Sequence, residues 1–164
     1  MKSILKVTLI LLLAIFVTSC NANNNKTSEK GKENKTIKKV AKPVYLNAET
    51  FRAEVWDYKT NSTEWIYKGD LPCVIDFYAD WCGPCKRVAP IMKELANEYS
   101  DKVKIYKVNT DQQRELSSVF GIRSIPSVFF CPKEGKPFMK IGAFSKEQYI
   151  ELIEKYLINK PNNN

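Results

Sequence analysis

The chain has 164 residues, of which 26 are lysine or arginine and 18 are aspartate or glutamate, for a formal net charge of +8. It contains five cysteines and no histidine. Without histidine, zinc sites built from cysteine and histidine are excluded, and so are hydrolases that use a Cys–His pair. The length suits one globular domain with its own core, together with shorter segments outside it.

The first 19 residues have the pattern of a signal peptide. Lys2 and Lys6 provide a basic start, residues 7–17 are apolar, and Thr18 and Ser19 are small. The apolar run is shorter than a membrane-spanning helix requires. We therefore predict that residues 1–19 are a targeting segment of the lipoprotein type and not part of the fold.

The end of this segment, Val17-Thr18-Ser19-Cys20, resembles the lipobox of bacterial lipoproteins. The resemblance implies that Cys20 is lipidated and becomes the mature N-terminus. The expected location is then the bacterial cell envelope, where a membrane-anchored lipoprotein faces the periplasm or another extracytoplasmic space. Ordinary secretion with cleavage nearby and an uncleaved anchor are the alternatives.

Residues 20–42 are predicted to be the lipidated cysteine and a flexible tether. Residues 21–42 are rich in Asn, Lys, Ser and Thr, and this composition cannot bury enough apolar surface to fold. Their seven lysines and two glutamates carry a charge of +5. When this charge and the charges of Lys2 and Lys6 are subtracted from the total of +8, residues 43–164 carry only +1. Because the folded part has little net charge, nucleic acid is not expected as a partner.

Residues 43–160 are predicted to form one domain, followed by a disordered tail at residues 161–164. Its first helix is expected to be capped by Asn47 and to run through residues 51–56. The polar residues 59–70 are predicted to form a loop that holds a short strand at residues 65–67.

The remaining elements follow from alternation and helical periodicity. They are strands at residues 73–79, 103–108, 127–131 and 137–141, and helices at about 83–99, at 114–120, and from a capping box at Ser145 through residue 157. Strands interleaved with helices predict a layered α/β domain with a mixed sheet.

The motif Trp81-Cys82-Gly83-Pro84-Cys85 lies between a predicted buried strand and a predicted helix. A cysteine at this junction faces unpaired N–H groups and the positive end of the helix dipole, which favours its thiolate. A second cysteine three residues later can attack a mixed disulfide formed by the first. A zinc site could use the same spacing, but it would also need Cys73 and Cys131, which fall within predicted strands. The pattern therefore favours reversible dithiol–disulfide chemistry with no metal or other cofactor.

Four segments in chain order resemble the thioredoxin family. They are residues 74–86 around the two cysteines, residues 107–111, residues 120–127 and residues 141–146. The resemblance implies the thioredoxin fold, an α/β fold with a central mixed β-sheet flanked by helices on both faces, and a redox-active Cys82–Cys85 disulfide. The N-terminal segments, the insertion at residues 59–70, Cys73 and Cys131 depart from the family pattern.

The resemblance also implies roles for two charged residues. Asp76 matches the family's buried aspartate, which is implicated in proton transfer to the resolving cysteine. Lys107 matches the lysine beside that aspartate. From the residues alone, each could instead be a strand residue that faces solvent.

A substrate-docking surface is implied around Pro126, which matches the family's cis-proline and is expected to face the cysteine pair. The backbone of Ile125 would pair with an extended substrate segment. The other expected members of this surface are Trp81, Gly83, Pro84 and Gly142. Gly142 could alternatively be a plain turn glycine.

Cys73 and Cys131 lie in strands that the family's sheet would make antiparallel neighbours. We expect buried free thiols that pack as small apolar side chains. A cross-strand disulfide or a second redox pair is the alternative.

These features predict an extracytoplasmic, membrane-tethered protein-disulfide reductase. Its expected partners are disulfide-containing client proteins and a membrane electron donor that reduces it again, and it is expected to be a monomer. The alternatives are a disulfide oxidant or isomerase, and a redox-inert binding module that uses the groove beside Pro126.

Overall fold

The computed structural model describes residues 40–159. In this range the strands are β1 (Val44–Tyr45), β2 (Cys73–Tyr78), β3 (Lys104–Asn109), β4 (Ser127–Cys131) and β5 (Phe138–Ile141). The helices are α1 (Ala48–Glu54), α2 (Gly83–Glu98), α3 (Arg114–Val119) and α4 (Lys146–Ile153), and α4 continues as a π-helical turn, Glu154–Ile158.

The five described strands form one mixed sheet in the order β1-β3-β2-β4-β5. Strands β1 and β2 both run parallel to β3, whereas β4 is antiparallel to β2 and β5 is antiparallel to β4. The carboxyl ends of β2 and β3 therefore lie at the same sheet edge as the beginning of β4. This edge positions the candidate site.

Apolar cores lie on both faces of the sheet. Helices α2 and α4 pack on one face through residues such as Leu95 and Ile153. Helices α1 and α3 pack on the other face through residues such as Phe51 and Leu116. Because side chains alternate along a strand, Val74 joins the first core and its neighbour Ile75 joins the second. The predicted thioredoxin fold, with a mixed sheet flanked by helices on both faces, is confirmed.

The helix starts predicted from sequence are confirmed at two positions. The Asn47 side chain accepts a hydrogen bond from the Thr50 N–H at 2.8 Å and caps α1. Ser145 and Gln148 form a capping box at the start of α4. Each side chain satisfies an N–H group that the first turn of the helix leaves without a backbone partner.

The predicted short strand at residues 65–67 is wrong, because no strand forms there. The apolar patch that suggested a strand serves side-chain packing instead. The rings of Trp65 and Tyr67 stack with an interplanar angle of 9°, while Ile66 between them is 43% exposed. The backbone beyond them bonds to the end of α1, where the Lys68 N–H donates to the Val55 carbonyl at 2.9 Å.

The predicted signal peptide, Cys20, nearly all of the tether and the predicted tail lie outside the described residues. Among the helices of residues 40–159, none has the length and apolar character needed to cross a membrane.

Candidate active site

The two motif cysteines lie where β2 leads into α2. Cys82 is the N-terminal capping residue of α2, and its Sγ accepts a hydrogen bond from the Cys85 N–H at 3.2 Å. Pro84 is in the first turn of the helix, where the missing N–H of proline leaves no helical hydrogen bond unmade. The sulfur of Cys82 is thus held at the positive end of a 16-residue helix.

Cys82 and Cys85 are joined by a disulfide, with their Cα atoms 5.3 Å apart. Both residues are nearly buried and form a small cluster with Ala79, against which Tyr78 and Ile125 pack. The structure therefore shows the oxidised form of the predicted dithiol pair.

The segment that precedes β4 lies directly against this disulfide. Phe77 near the end of β2 is paired with Ser127 at the beginning of β4. The residues before Ser127 therefore lie at the sheet edge where Cys82 and Cys85 are found. The Ile125–Pro126 peptide bond is cis, as the resemblance implied. The carbonyl oxygen of Ile125 is 3.8 Å from Cys82 Sγ.

Gly142 adjoins this segment from the end of β5. Its N–H donates to the Pro126 carbonyl oxygen at 2.9 Å. Its backbone φ of +114° is an angle that residues other than glycine rarely adopt. Gly142 therefore both makes a turn and contacts the predicted docking segment.

Trp81 and its partners form the outer side of the site. The Trp81 ring is 70% exposed, and its Nε1–H donates to Asp111 at 2.9 Å. Next to it, the Asn109 side-chain amide donates to Asp80 at 3.2 Å. The sequence interpretation missed Asp80, Asn109 and Asp111 as site residues, although Asn109 ends a strand parallel to β2 and so belongs at the same edge.

Gly83 lies on α2 with open space where a side chain would be. A shallow groove borders this region on the other side of Trp81. It is lined by Trp81, Thr110, Ser117, Ile122, Arg123, Ser124 and Ile125.

Asp76 and Lys107 form a buried ion pair beneath the site. Asp76 has no exposed surface, and its Oδ2 is 3.2 Å from Lys107 Nζ. Apart from this ion pair, neither carboxylate oxygen of Asp76 has a hydrogen-bond partner. The lysine also lies over the Tyr78 ring, with Nζ 4.1 Å from the centroid. The alternatives in which these two residues face solvent are wrong.

Burial raises the pKa of the Asp76 carboxyl above its ordinary value of 3.8, because the charged form loses its hydration. The positive charge and hydrogen bonding of Lys107 oppose this shift but do not cancel it. Asp76 therefore holds a proton more firmly than an exposed aspartate does.

A cleft of about 250 Å³ lies beside the lysine of the ion pair and the second cysteine. Cys85 and Lys107 both line it, together with Tyr78 and Ala79. Along β2 and β3, Asp76 and Lys107 are in register, so the carboxyl is next to the lysine that lines the cleft. This arrangement places Lys107 and the second cysteine at one cleft, with the Asp76 carboxyl buried next to the lysine.

Cys73 and Cys131 are not part of this site. They are free thiols at the opposite end of β2 and β4 from Cys82, and neither has exposed surface. Within residues 40–159, no group of three or more histidine, cysteine, aspartate or glutamate residues could hold a metal ion.

Comparisons with known proteins agree with this geometry. The thioredoxin family model matches residues 43–155. The chain is 40% identical to thioredoxin of Borreliella burgdorferi over 113 residues, which are 69% of this chain and 96% of that protein. It is 40% identical to thioredoxin 1 of a Nostoc species over 108 residues, which are 66% of this chain and 91% of that protein. It is 43% identical to the chloroplastic M-type thioredoxin of Spinacia oleracea over 105 residues, 63% of this chain and 58% of that protein. On its sequence and its fold, the chain belongs to the thioredoxin family.

Proposed function

We propose that this protein reduces disulfides of client proteins in the bacterial cell envelope, held to a membrane by a lipid on Cys20. Membership of the thioredoxin family makes it a thiol–disulfide oxidoreductase that acts on disulfide-containing substrates. The observation that carries the proposal is the Cys82–Cys85 pair at the start of α2, with the Ile125 carbonyl oxygen 3.8 Å from Cys82 Sγ.

The reaction begins with the reduced form, in which Cys82 is the nucleophile. The helix N-terminus and the Cys85 N–H, which already contacts the Cys82 sulfur at 3.2 Å, stabilise a thiolate at this position. The thiolate attacks one sulfur of the client disulfide. A mixed disulfide forms, and the other client sulfur leaves as a thiolate that takes a proton.

Cys85 then resolves the mixed disulfide. Its thiol transfers a proton to the Asp76 carboxylate through the shared cleft, and the resulting thiolate attacks Cys82 Sγ. The second client thiol is released, and Cys82–Cys85 becomes the disulfide that the structure shows. A raised pKa makes the Asp76 carboxylate a better proton acceptor near neutral pH, and Lys107 keeps its charged form accessible.

Client recognition is proposed to use main-chain contacts. An extended client segment bonds to the backbone of Ile125 next to Pro126, while Trp81, Gly83, Pro84 and Gly142 border the segment. Gly83 leaves open space beside the cysteines, and Trp81 offers a largely exposed ring. Such contacts read few client side chains and so accept many proteins.

The first test is to trap clients. The full chain with Cys85→Ser should accumulate mixed disulfides with envelope proteins, because attack by Cys82 remains and resolution is lost. Cys82→Ser is the matched control and should trap none and fail to reduce insulin disulfides. Client binding that is unaffected by Cys82→Ser, together with no insulin reduction by the wild type, would show that a redox-inert binding module, rather than a reductase, uses the groove.

The direction of electron flow needs a separate measurement. We expect an equilibrium reduction potential of the Cys82–Cys85 pair near about −270 mV, as for a dedicated reductase that a membrane donor reduces. A value at or above about −180 mV would make the protein an oxidant or isomerase.

The location is tested by fractionation. Cys20→Ala should move the protein from the membrane fraction to the soluble envelope fraction, because it removes the residue that carries the lipid. Ser19→Ala, a change beside it to another small residue, should leave the protein in the membrane. Membrane association that persists in Cys20→Ala would favour an uncleaved anchor.

A further inference from the structure

Cys73 and Cys131 face each other across the β2–β4 pair. The two residues are direct partners in the antiparallel register, and both are completely buried. Residues opposite each other on antiparallel strands have Cα atoms about 4.5–5.5 Å apart. Disulfides bridge Cα separations of about 4.4–6.8 Å. The sheet therefore already holds these two cysteines at a separation that a disulfide can bridge.

Both thiols are buried, and burial makes the Cys131 thiol less reactive. Burial raises the pKa of the Cys131 thiol well above its ordinary value, and the neighbouring Cys73 raises it further. The protonated thiol is a poor nucleophile, so exchange with an external disulfide requires the pair to become exposed.

The cover over this pair belongs to the segment at residues 59–70, the insertion that departs from the family pattern. Trp65 and Tyr67 pack against the same apolar cluster as the two cysteines. The Tyr67 hydroxyl donates a hydrogen bond to the Leu71 carbonyl and lies near both thiols, since Cys73 and Cys131 add to the rise that burial causes in the pKa of Tyr67. The segment contains no helix or strand, so it can open at lower free energy than the sheet beneath it.

We propose that Cys73 and Cys131 are a second redox pair, which a small disulfide of the glutathione disulfide type oxidises to a cross-strand disulfide when residues 59–70 open. This proposal does not depend on the function proposed for Cys82 and Cys85.

The proposed reaction is two exchange steps. The thiolate of one cysteine attacks glutathione disulfide, so that a mixed disulfide forms and one glutathione thiolate leaves. The second cysteine loses its proton to solvent and attacks the protein sulfur of the mixed disulfide, which releases the second glutathione. The pair loses two electrons and two protons, and the two electrons reduce one glutathione disulfide to two glutathiones.

The new bond would link β2, which leads to Cys82, with β4, which follows Pro126. Oxidation should therefore stabilise the strand pair that holds the active site together, and the oxidised protein should unfold at a higher urea concentration than the reduced protein.

The test uses the full chain with Cys20→Ala, Cys82→Ser and Cys85→Ser, which leaves Cys73 and Cys131 as its cysteines. The protein is incubated with glutathione disulfide, unfolded, and treated with a maleimide that adds mass to each free thiol. We expect both thiols to disappear, with a mass loss of two hydrogens and a peptide that joins Cys73 to Cys131. Because the active-site cysteines are absent, this result is independent of reductase activity.

The role of the cover is tested in the same background. Tyr67→Ala should speed the oxidation several-fold, whereas Ile66→Ala, at the exposed position between the two covering aromatic residues, should not. If Tyr67→Ala does not fold, Tyr67→Phe, which removes only the hydroxyl near Cys73, takes its place and should also speed the reaction. The proposal is overturned if both thiols remain free in all these variants, or if glutathione adducts accumulate without the cross-link.

Discussion

At the residue scale, Asp76 is an ionisable side chain buried in an apolar interior. A carboxylate without exposed surface and with one ion pair is costly in an apolar interior. The sequence could identify Asp76 as a candidate because a carboxylate stands out within an apolar strand, and it could identify Lys107 through the resemblance to the thioredoxin family. It could not identify the Trp81–Asp111 and Asn109–Asp80 hydrogen bonds, which depend on how residues far apart in sequence meet at the sheet edge.

Asp76→Asn should change how stability depends on pH. Because burial raises the pKa of Asp76, the folded protein binds this proton more tightly than the unfolded chain does. The stabilisation is complete below the ordinary value of 3.8 and is lost as pH rises through the folded-state pKa. The free energy of unfolding of the wild type, relative to the variant, should therefore fall with pH across this window, by at most about 1.4 kcal/mol per pH unit.

Urea unfolding of the oxidised proteins between about pH 4 and pH 9 measures this difference. Asp70→Asn, at an exposed position, is the control and should preserve the pH dependence of the wild type. A difference between Asp76→Asn and wild type that stays constant over the whole range would contradict a raised pKa.

At the scale of elements, local sequence signals specified the longer helices and strands, and they failed where an element depends on distant partners. Strand β1 was not predicted, because its two exposed residues carry no alternating pattern and it forms by pairing with β3. Residues 65–67 are an apolar patch that suggested a strand, yet the Trp65 ring packs on Trp56 and Phe129 and the segment forms no strand. Capping signals were more reliable, because the donor and the acceptor lie within one turn.

Ser145→Ala should lower the free energy of unfolding by about 1 kcal/mol, because it removes the acceptor for the Gln148 N–H at the start of α4. Insulin reduction should be unchanged, since α4 packs on the sheet face through its apolar side. Chemical denaturation measures the effect. Ser145→Asp keeps a capping oxygen and should retain most of the stability; an equal loss in both variants would show that the cap contributes nothing.

At the scale of the whole molecule, two apolar cores share one sheet. The two cysteine pairs lie at opposite ends of β2, with the active-site pair beyond its carboxyl end and the buried pair at its beginning. The core under α2 and α4 and the core under α1 and α3 contact the same strands from opposite sides. Disrupting the packing of either core should therefore destabilise the shared sheet, so that both cores unfold together.

Leu95→Ala in the first core and Leu116→Ala in the second form a matched pair, since both leucines are fully buried. Each should lower the free energy of unfolding by about 2–5 kcal/mol. In both variants, tryptophan fluorescence, which reports mainly Trp56 and Trp65 on one face, should change at the same urea concentration as far-UV circular dichroism. Separate transitions for the two probes would show that the cores unfold independently.

The contact between Cys82 and Ile125 spans 43 positions of the chain. Both active-site cysteines precede β4, whereas the backbone proposed to receive a client is placed beside them only when β4 pairs with β2. A chain that ended at residue 120 would contain both Cys82 and Cys85 but would lack the Ile125–Pro126 segment that lies beside them. During synthesis, the reactive pair thus precedes the segment proposed to recognise clients, and folding of the last third of the domain brings the two together.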